Sequence, residues 1–395
     1  MKKHVLFVDD DPKVLQGLRR MLLGMRKEWE MHFAGSAAEA LTYLPAQRMD
    51  AIVTDLNMPG MDGAALLDRV KSLYPDTVRI LLTAQPNDAV MIKAARSAHQ
   101  VIAKPCDAGF LQSTLSHACS HHHMLPQDGL RKLVSQLESL PSLPTLYTRI
   151  MEAAEDPECS VHQVGKLIEE DVSISFKIIQ LTNSAFYGVP HRVSRPSEAA
   201  VFLGMETIKA LVLGIGLFSG FDNSKVSPRD IEQIYNHSTK TGTIAQKIAK
   251  AEEMGKRRIE EVFVAGLLHD LGKLVIAHNL PENYKRAIAL SAAKKISSAE
   301  AETEILGADH AQIGAYLFEL WGLPDTLVEA VAFHHHPRVN PETQFDAIGV
   351  VHVANALEHV PSDSIEPGEP VPGLDTAYLM QIGLMHRLAE WKSMQ

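Results

Sequence analysis

The sequence predicts two folds in tandem: an α/β domain built on a doubly wound, five-stranded parallel sheet, followed by an all-α helical bundle. Three observations carry this reading. Over residues 1–120, short apolar runs alternate with stretches of helical periodicity. From 144 to about 340, apolar residues recur at three- and four-residue intervals, and no convincing strand alternation appears. Acidic residues sit at the ends of the N-terminal runs, and histidines at the ends of the C-terminal ones.

The apolar runs 5–8, 51–54, 78–82 and 101–103 suit strands buried on both faces of a parallel sheet, and a fifth strand is expected near 30–34. Helical patterns fall near 13–25, 36–44, 62–73, 87–97 and 107–122. In such sheets the chemistry gathers at the carboxyl ends of the strands. Asp9, Asp10 and Asp11 follow the first strand of this order, and Asp55 ends the 51–54 run in Thr54-Asp55-Leu56-Asn57-Met58-Pro59. Thr83 follows the 78–82 run, and Lys104-Pro105 the last. Converging carboxylates repel one another unless a hard cation lies between them, and Mg²⁺ prefers such oxygen ligands. A cation there, with Lys104 opposite, neutralises a phosphoryl group in transfer to Asp55, and the Thr83 hydroxyl can donate to the new phosphate.

This constellation resembles the receiver domain of two-component response regulators over its whole length. The resemblance implies Asp55 as phosphoacceptor, with Mg²⁺ held by Asp9, Asp10, Asp55 and Asn57. It implies Thr83 and Lys104 as phosphate-sensing residues, and a sensor histidine kinase as partner. Receivers usually carry an aromatic switch residue three positions before the lysine. Here that position is Val101, so the signal is expected to leave through another surface or to rely on Thr83 alone.

Residues 123–142 read as a linker. Within them, 127–140 form an expected helix with Leu130, Leu133, Leu137 and Leu140 on a narrow seam. Packing against its own chain is the favoured use of that seam; pairing in a homodimer is the other. His121-His122-His123, just before it, are expected to be solvated.

In the bundle, 143–340, helices are expected over 160–168, 174–184, 196–203, 206–217, 228–251 and 259–269. His237 lies on one of them, and His269-Asp270 end another. His310 follows Leu306-Gly307-Ala308-Asp309, and His334-His335 follow Leu323-Pro324-Asp325. Such mixed nitrogen and oxygen ligands suit Zn, Mn, Fe or Ni. Each histidine alone is an ordinary core residue; six candidate ligands at helix ends point to a transition-metal site.

The pattern resembles the HD superfamily of metal-dependent phosphohydrolases, and more closely its HDOD branch of HD-related output domains. Carrying the finer resemblance are Leu167-Ile168-Glu169-Glu170-Asp171-Val172-Ser173, Leu181-Thr182-Asn183-Ser184-Ala185-Phe186-Tyr187-Gly188 and His237-Ser238. It continues in Phe263-Val264-Ala265-Gly266-Leu267-Leu268-His269-Asp270, Gly307-Ala308-Asp309-His310 and Trp321-Gly322-Leu323-Pro324. Three departures speak against efficient hydrolysis. Asn355 stands where active HD enzymes place a last ligand aspartate. Gln233 stands one turn before His237, where bimetallic relatives can carry a glutamate. No Gly-Tyr-Pro motif follows His334-His335. Lys273, which in active relatives helps to neutralise a substrate phosphate, is retained. The expectation is a phosphorylation-controlled output acting through an unidentified protein partner. The alternative is a metal-dependent phosphohydrolase of nucleotides or cyclic dinucleotides.

Composition is that of an ordinary globular chain, 46% hydrophobic and 22% charged. The first 123 residues hold 14 Lys+Arg against 13 Asp+Glu, so the remainder carries essentially all of the net −10. That balance disfavours a nucleic-acid partner, whose phosphates require Lys and Arg. The longest apolar stretch, 208–221, is broken by glycines and is too short for a bilayer. The N-terminus lacks the apolar run of a signal peptide, and three unpaired-looking cysteines suit a reduced cytoplasm. Residues 341–374 are expected to form an acidic, Pro/Gly-rich surface loop. A last helix follows from Asp375, placing Tyr378, Leu379, Ile382, Met385, Leu388 and Trp391 against the bundle.

Overall fold

The computed structural model describes residues 2–84, 97–106, 108–120, 125, 128–135, 137, 144–156, 158–183, 193–205, 207–208, 212, 227–339, 345–360 and 371–394. The expected helix near 87–97, His121-His122-His123, the Ala185–Gly188 motif and most of the 206–217 helix lie outside the described residues.

Five strands, β1 (Lys3–Val8), β2 (Trp29–Ala34), β3 (Ala51–Asp55), β4 (Val78–Thr83) and β5 (Gln100–Ala103), form one parallel sheet in the order β2-β1-β3-β4-β5. Val5, Leu6, Phe7, Ile52, Ile80 and Leu81 are fully buried, which is why these strands read as apolar runs rather than alternations. Asp11 caps helix Pro12–Met21 by accepting from the Lys13 amide, and Asp62 caps Gly63–Leu73 by accepting from the Ala65 amide. The parallel register puts Asp55, Thr83 and Lys104 at one end of the sheet.

The second half is helical. Val161–Ile168, Val172–Asn183 and Pro196–Leu203 precede the 24-residue helix Pro228–Ala251. Then follow Lys256–Leu268, Leu271–Asn279, Pro281–Lys294, Ser298–Leu306, His310–Leu320 and Asp325–Phe333. Glu169 of the Leu167–Ser173 motif has a structural use. Its carboxylate accepts from Arg195 Nε at 3.0 Å and Nη2 at 2.9 Å, and from the Ser197 hydroxyl at 2.5 Å. Asp171 accepts from the Ile174 amide at 2.9 Å at the start of the next helix.

The C-terminal region departs from expectation. Instead of a continuous loop over 341–374, a helix runs from Ala347 to Glu358 with Asp346 as its cap. Val350, Val351, Val353, Ala354 and Leu357 are all fully buried. A helix apolar all round shows no amphipathic stripe, and the flanking Pro and Gly residues mask it. The last helix is also broken: Thr376–Gln381 and Leu388–Lys392 are separated by Gly383 at φ 75° and a short 3₁₀ turn, Met385–Arg387. Both pieces pack on the bundle through Tyr378, Leu379, Leu388 and Trp391. Among the described residues, no helix is long and apolar enough to cross a membrane.

The two halves share a core. Ile80, Ile102, Leu111 and Leu115 of the sheet domain join Leu130, Val134, Phe176 and Trp321 in one apolar cluster. The linker helix is described over Asp128–Ser135 and buries Leu130 and Val134 against its own chain; residues 127, 136 and 138–140 of its expected span lie outside the described residues. Polar contacts fix the join. Arg79 Nη2 donates to Ser135 O at 2.7 Å, Gln100 Nε2 to Leu320 O at 3.1 Å, and Gln180 Nε2 to His99 O at 3.2 Å. These lie at the starts of β4 and β5, at the end of the sheet opposite Asp55.

Candidate functional site: an acidic pocket and a histidine cluster

At the carboxyl end of the sheet, Asp9 and Asp55 are buried while Asp10 is exposed. Lys104 Nζ bridges the two buried carboxylates, 2.5 Å from Asp9 Oδ2 and 2.5 Å from Asp55 Oδ1. Burial opposes its charge, but the hydrogen bonds to Asp55 and Asp9 outweigh it and hold the Lys104 pKa above the ordinary lysine value. Asp55 Oδ2 accepts from the Asn57 amide at 2.6 Å, so the Asn57 backbone orients the acceptor. Thr83 is fully buried beside them, and Val101 is buried on β5. The structure thus brings Asp9, Asp55, Asn57, Thr83 and Lys104 together, with Asp10 at the rim. Two carboxylates held by one cation are an oxygen-rich seat for a hard divalent ion.

The histidines converge far downstream in the chain, from His237 onward. Helix Pro228–Ala251 carries His237, and it crosses helix Lys256–Leu268 where Gly266 meets Gly242. A Cβ on Gly266 would lie 2.8 Å from Gly242 Cα, so only glycine permits the approach that sets His269 beside His237. Likewise a Cβ on Gly272 would lie 2.0 Å from His310 O, so Gly272 lets helix His310–Leu320 close on Asp270.

Around Asp270 four rings share one orientation. His269 Nδ1 donates to Gly266 O and His334 Nδ1 to Val331 O, each at 2.7 Å. His237 Nδ1 meets Glu358 Oε2, and His310 Nδ1 meets Glu302 Oε2, each at 2.6 Å. Every Nε2 therefore turns inward. From Asp270 Oδ1, His310 Nε2 stands at 3.1 Å, His269 Nε2 at 3.4 Å and His334 Nε2 at 4.0 Å; His237 Nε2 is 3.4 Å from Oδ2. His335 Nε2 lies 2.9 Å from His310 Nε2.

Burial keeps most of these rings neutral. It drives His269 down to about 3 and His334 and His335 well below the ordinary histidine value. At His310 burial acts the same way, but Glu302 and Asp270 together outweigh it and raise the ring to about 9. Asp270 resists its own burial because the cations facing it, Lys273 at 2.7 Å and His310 at 3.1 Å, hold it well below the usual carboxylate range. A neutral ring that donates from Nδ1 carries a bare lone pair on Nε2. His334 Nε2 is indeed buried without a hydrogen-bond partner, while Asp270 Oδ1 faces His310 Nε2 at 3.1 Å. An orphaned ring nitrogen beside a carboxylate at the centre of converging imidazoles fits a transition ion better than it fits a closed hydrogen-bond network. His237, His269 and Asp270 offer one ligand set, and His310, His334 and His335 another, each within 4.8 Å.

Two carboxylates complete the cluster: Glu302, which the sequence does not single out, and Glu358, expected in the acidic surface loop but carried by helix Ala347–Glu358. Glu302 and Glu358 each tie a histidine through Nδ1, the carboxylate–histidine–metal arrangement that fixes ring orientation. Asn355 takes no part in these hydrogen bonds; Glu358, one turn later on the same helix, brings the carboxylate. Glu358 is held down to about 2, burial opposing but hydrogen bonds from His237 and His359 prevailing. A cavity of about 450 Å³ opens on Asp270, bordered by Gln233, Lys273, Tyr284, Ser298 and His359. Lys273 Nζ rests 2.7 Å from Asp270 Oδ2.

Comparison with known proteins finds both domains. The family model "HDOD domain" matches residues 140–337, and "Response regulator receiver domain" matches 5–116. An uncharacterized protein of Treponema pallidum is 28% identical over 243 residues, 61% of this chain and 46% of the relative. The MmoQ response regulator of Methylococcus capsulatus aligns over 64% of this chain and 98% of its own at 20% identity and TM-score 0.49. The receiver domain of an HD domain-containing protein from Pseudomonas fluorescens Pf-5 aligns over 31% of this chain and 98% of its own at 33% identity and TM-score 0.30. The chain spans less than half the length of the curated relatives it matches.

Proposed function

Because the chain belongs to the HDOD family and carries a response-regulator receiver ahead of that module, we propose that phosphorylation of Asp55 controls an HDOD output acting through a protein partner. In this reading the receiver occupies 1–122, the linker 123–142 and the HDOD domain 143–340, with 341–395 completing the bundle. A sensor histidine kinase supplies the phosphoryl group, and Mg²⁺ sits among Asp9, Asp10, Asp55 and the Asn57 backbone. Thr83 and Lys104 read the phosphate.

The carrying observation is the placement of β5. Lys104, at its carboxyl end, spans Asp9 and Asp55, while Gln100, at its start, is bonded to Leu320 of the output domain. A phosphate on Asp55 draws Lys104 away from Asp9, and β5 links that movement to the join. Val101, lacking an aromatic ring, leaves strand position as the route. Support for a protein partner lies in Asn355, which adds no charge to the cluster, and in the acidity of this half. The test is amide hydrogen exchange on the full chain with Mg²⁺ and beryllofluoride. Faster exchange at 99–100, 135 and 320 is expected; identical exchange in both states removes the switch.

One observation favours a second reading, metal-dependent phosphodiester hydrolysis: the orphaned His334 Nε2, 4.0 Å from Asp270 Oδ1, with a cavity that opens on Asp270. Screening nucleotide and cyclic-dinucleotide substrates with Mn²⁺, Fe²⁺ and Ni²⁺ separates the two. Turnover that disappears in His269→Ala and Asp270→Ala would establish the enzyme.

A further inference from the structure

The start of the sheet carries another group of ligand-type side chains, remote from both sites above. The β1–β2 register sets His4 opposite Glu30 and Leu6 opposite His32. With a strand period of two, His4, Glu30 and His32 share one face. His32 Nε2 lies 3.5 Å from His4 Nδ1, and Glu30 Oε2 lies 3.8 Å from the same nitrogen. One ligand atom from each residue falls within 4.8 Å of the others. Ligands bound tetrahedrally at roughly 2.1 Å stand about 3.4 Å apart, so closing the set takes only small side-chain adjustments.

The site is also built. His4 sits on a strand paired on both sides; its amide donates to Asp50 Oδ2 at 2.7 Å, and its carbonyl accepts from the Asp50 amide at 2.8 Å. The His32 ring packs against Tyr43 with centroids 5.8 Å apart. Gln47 brings its side-chain amide 2.8 Å from His4 Nδ1, and turning that amide over presents a carbonyl oxygen as a further ligand. Glu30 remains half exposed, which leaves an entry path for an ion.

We propose that His4, Glu30 and His32 form a binding site for a borderline divalent transition ion of the Zn²⁺ class, separate from the Asp55 pocket and the Asp270 cluster. Two imidazoles and one carboxylate select such ions over Mg²⁺, which requires oxygen ligands. The ion would pin β2, an edge strand, to its neighbour β1 at the end of the sheet away from Asp55.

The test is equilibrium dialysis of the full chain against Zn²⁺ in excess Mg²⁺, with bound zinc measured by elemental analysis. His4→Gln and His32→Gln should each lose one equivalent relative to the unsubstituted chain, whereas His269→Ala should keep that equivalent. Glu30→Gln, at a half-exposed side chain, gives the same comparison should either histidine variant fail to fold by circular dichroism; weaker binding of that equivalent is expected. Equal zinc content in the folded variants and the unsubstituted chain overturns the site, as does loss of every equivalent in His269→Ala.

Discussion

Each of His237, His269, His310 and His334 turns Nδ1 to a protein acceptor and Nε2 towards Asp270, so the cluster's chemistry depends on groups behind the rings. Glu302 and Glu358 are the two charged ones. Glu302→Gln and Glu358→Gln should each weaken transition-metal binding by about 10–100-fold, the usual effect of losing such a partner. Titration calorimetry checks this, and unchanged affinity would remove their orienting role. Glu169 illustrates a carboxylate with a structural use. Its pKa is lowered, burial opposing but Arg195 and Ser197 prevailing, so its stabilisation is present above the ordinary carboxylate value and fades as pH falls through the depressed one. Glu169→Gln should cost about 3 kcal/mol at pH 7 by stranding Arg195. In urea unfolding, the gap from the unsubstituted chain should narrow in acid; a gap independent of pH contradicts the assignment. The sequence makes the histidines and Asp270 legible because His-Asp and isolated helix-end histidines stand out. Glu302 reaches His310 across a turn at Gly307, which no local spacing announces. Glu358 was readable in principle, being one turn from Asn355 on an apolar run.

Helix crossings set the distances on which that cluster depends. Gly272 faces the His310 carbonyl too closely for any side chain. Gly272→Ala should therefore destabilise the bundle by at least about 2 kcal/mol through overpacking against backbone, and should lower bound metal in the folded fraction. Thermal unfolding and elemental analysis read both effects; a variant with native stability and metal content would show that the crossing is slack. Elements were legible where periodicity was plain: the strands as apolar runs, and Pro228–Ala251 as a long amphipathic pattern. Ala347–Glu358 escaped because a helix buried on every side has no polar face to mark its period. The terminal helix was over-extended because its apolar spacing continues through Ile382 and Met385, while Gly383 turns the backbone out of the helix.

At the scale of the molecule, the tandem architecture follows from periodicity alone, but the join between its halves does not. Gln100 and the Leu320 carbonyl are separated by 220 residues, and neither residue type announces a hydrogen bond across that distance. Gln100→Ala combined with Gln180→Ala removes two of the bonds that cross the join. The pair should raise hydrogen exchange at 99–100 and 320 without beryllofluoride, imitating the phosphorylated state; exchange at the unsubstituted level would show that apolar packing alone holds the join. The shared apolar cluster has a further consequence for anyone exchanging modules. Leu111 and Leu115 are covered partly by Leu130 and Val134, and β5 is an edge strand. A fragment cut at residue 122 would bare a hydrophobic flank beside an unpaired strand edge, a surface that invites self-association. The natural seam for a chimera therefore falls beyond Ser135, so that the receiver travels with its own cover.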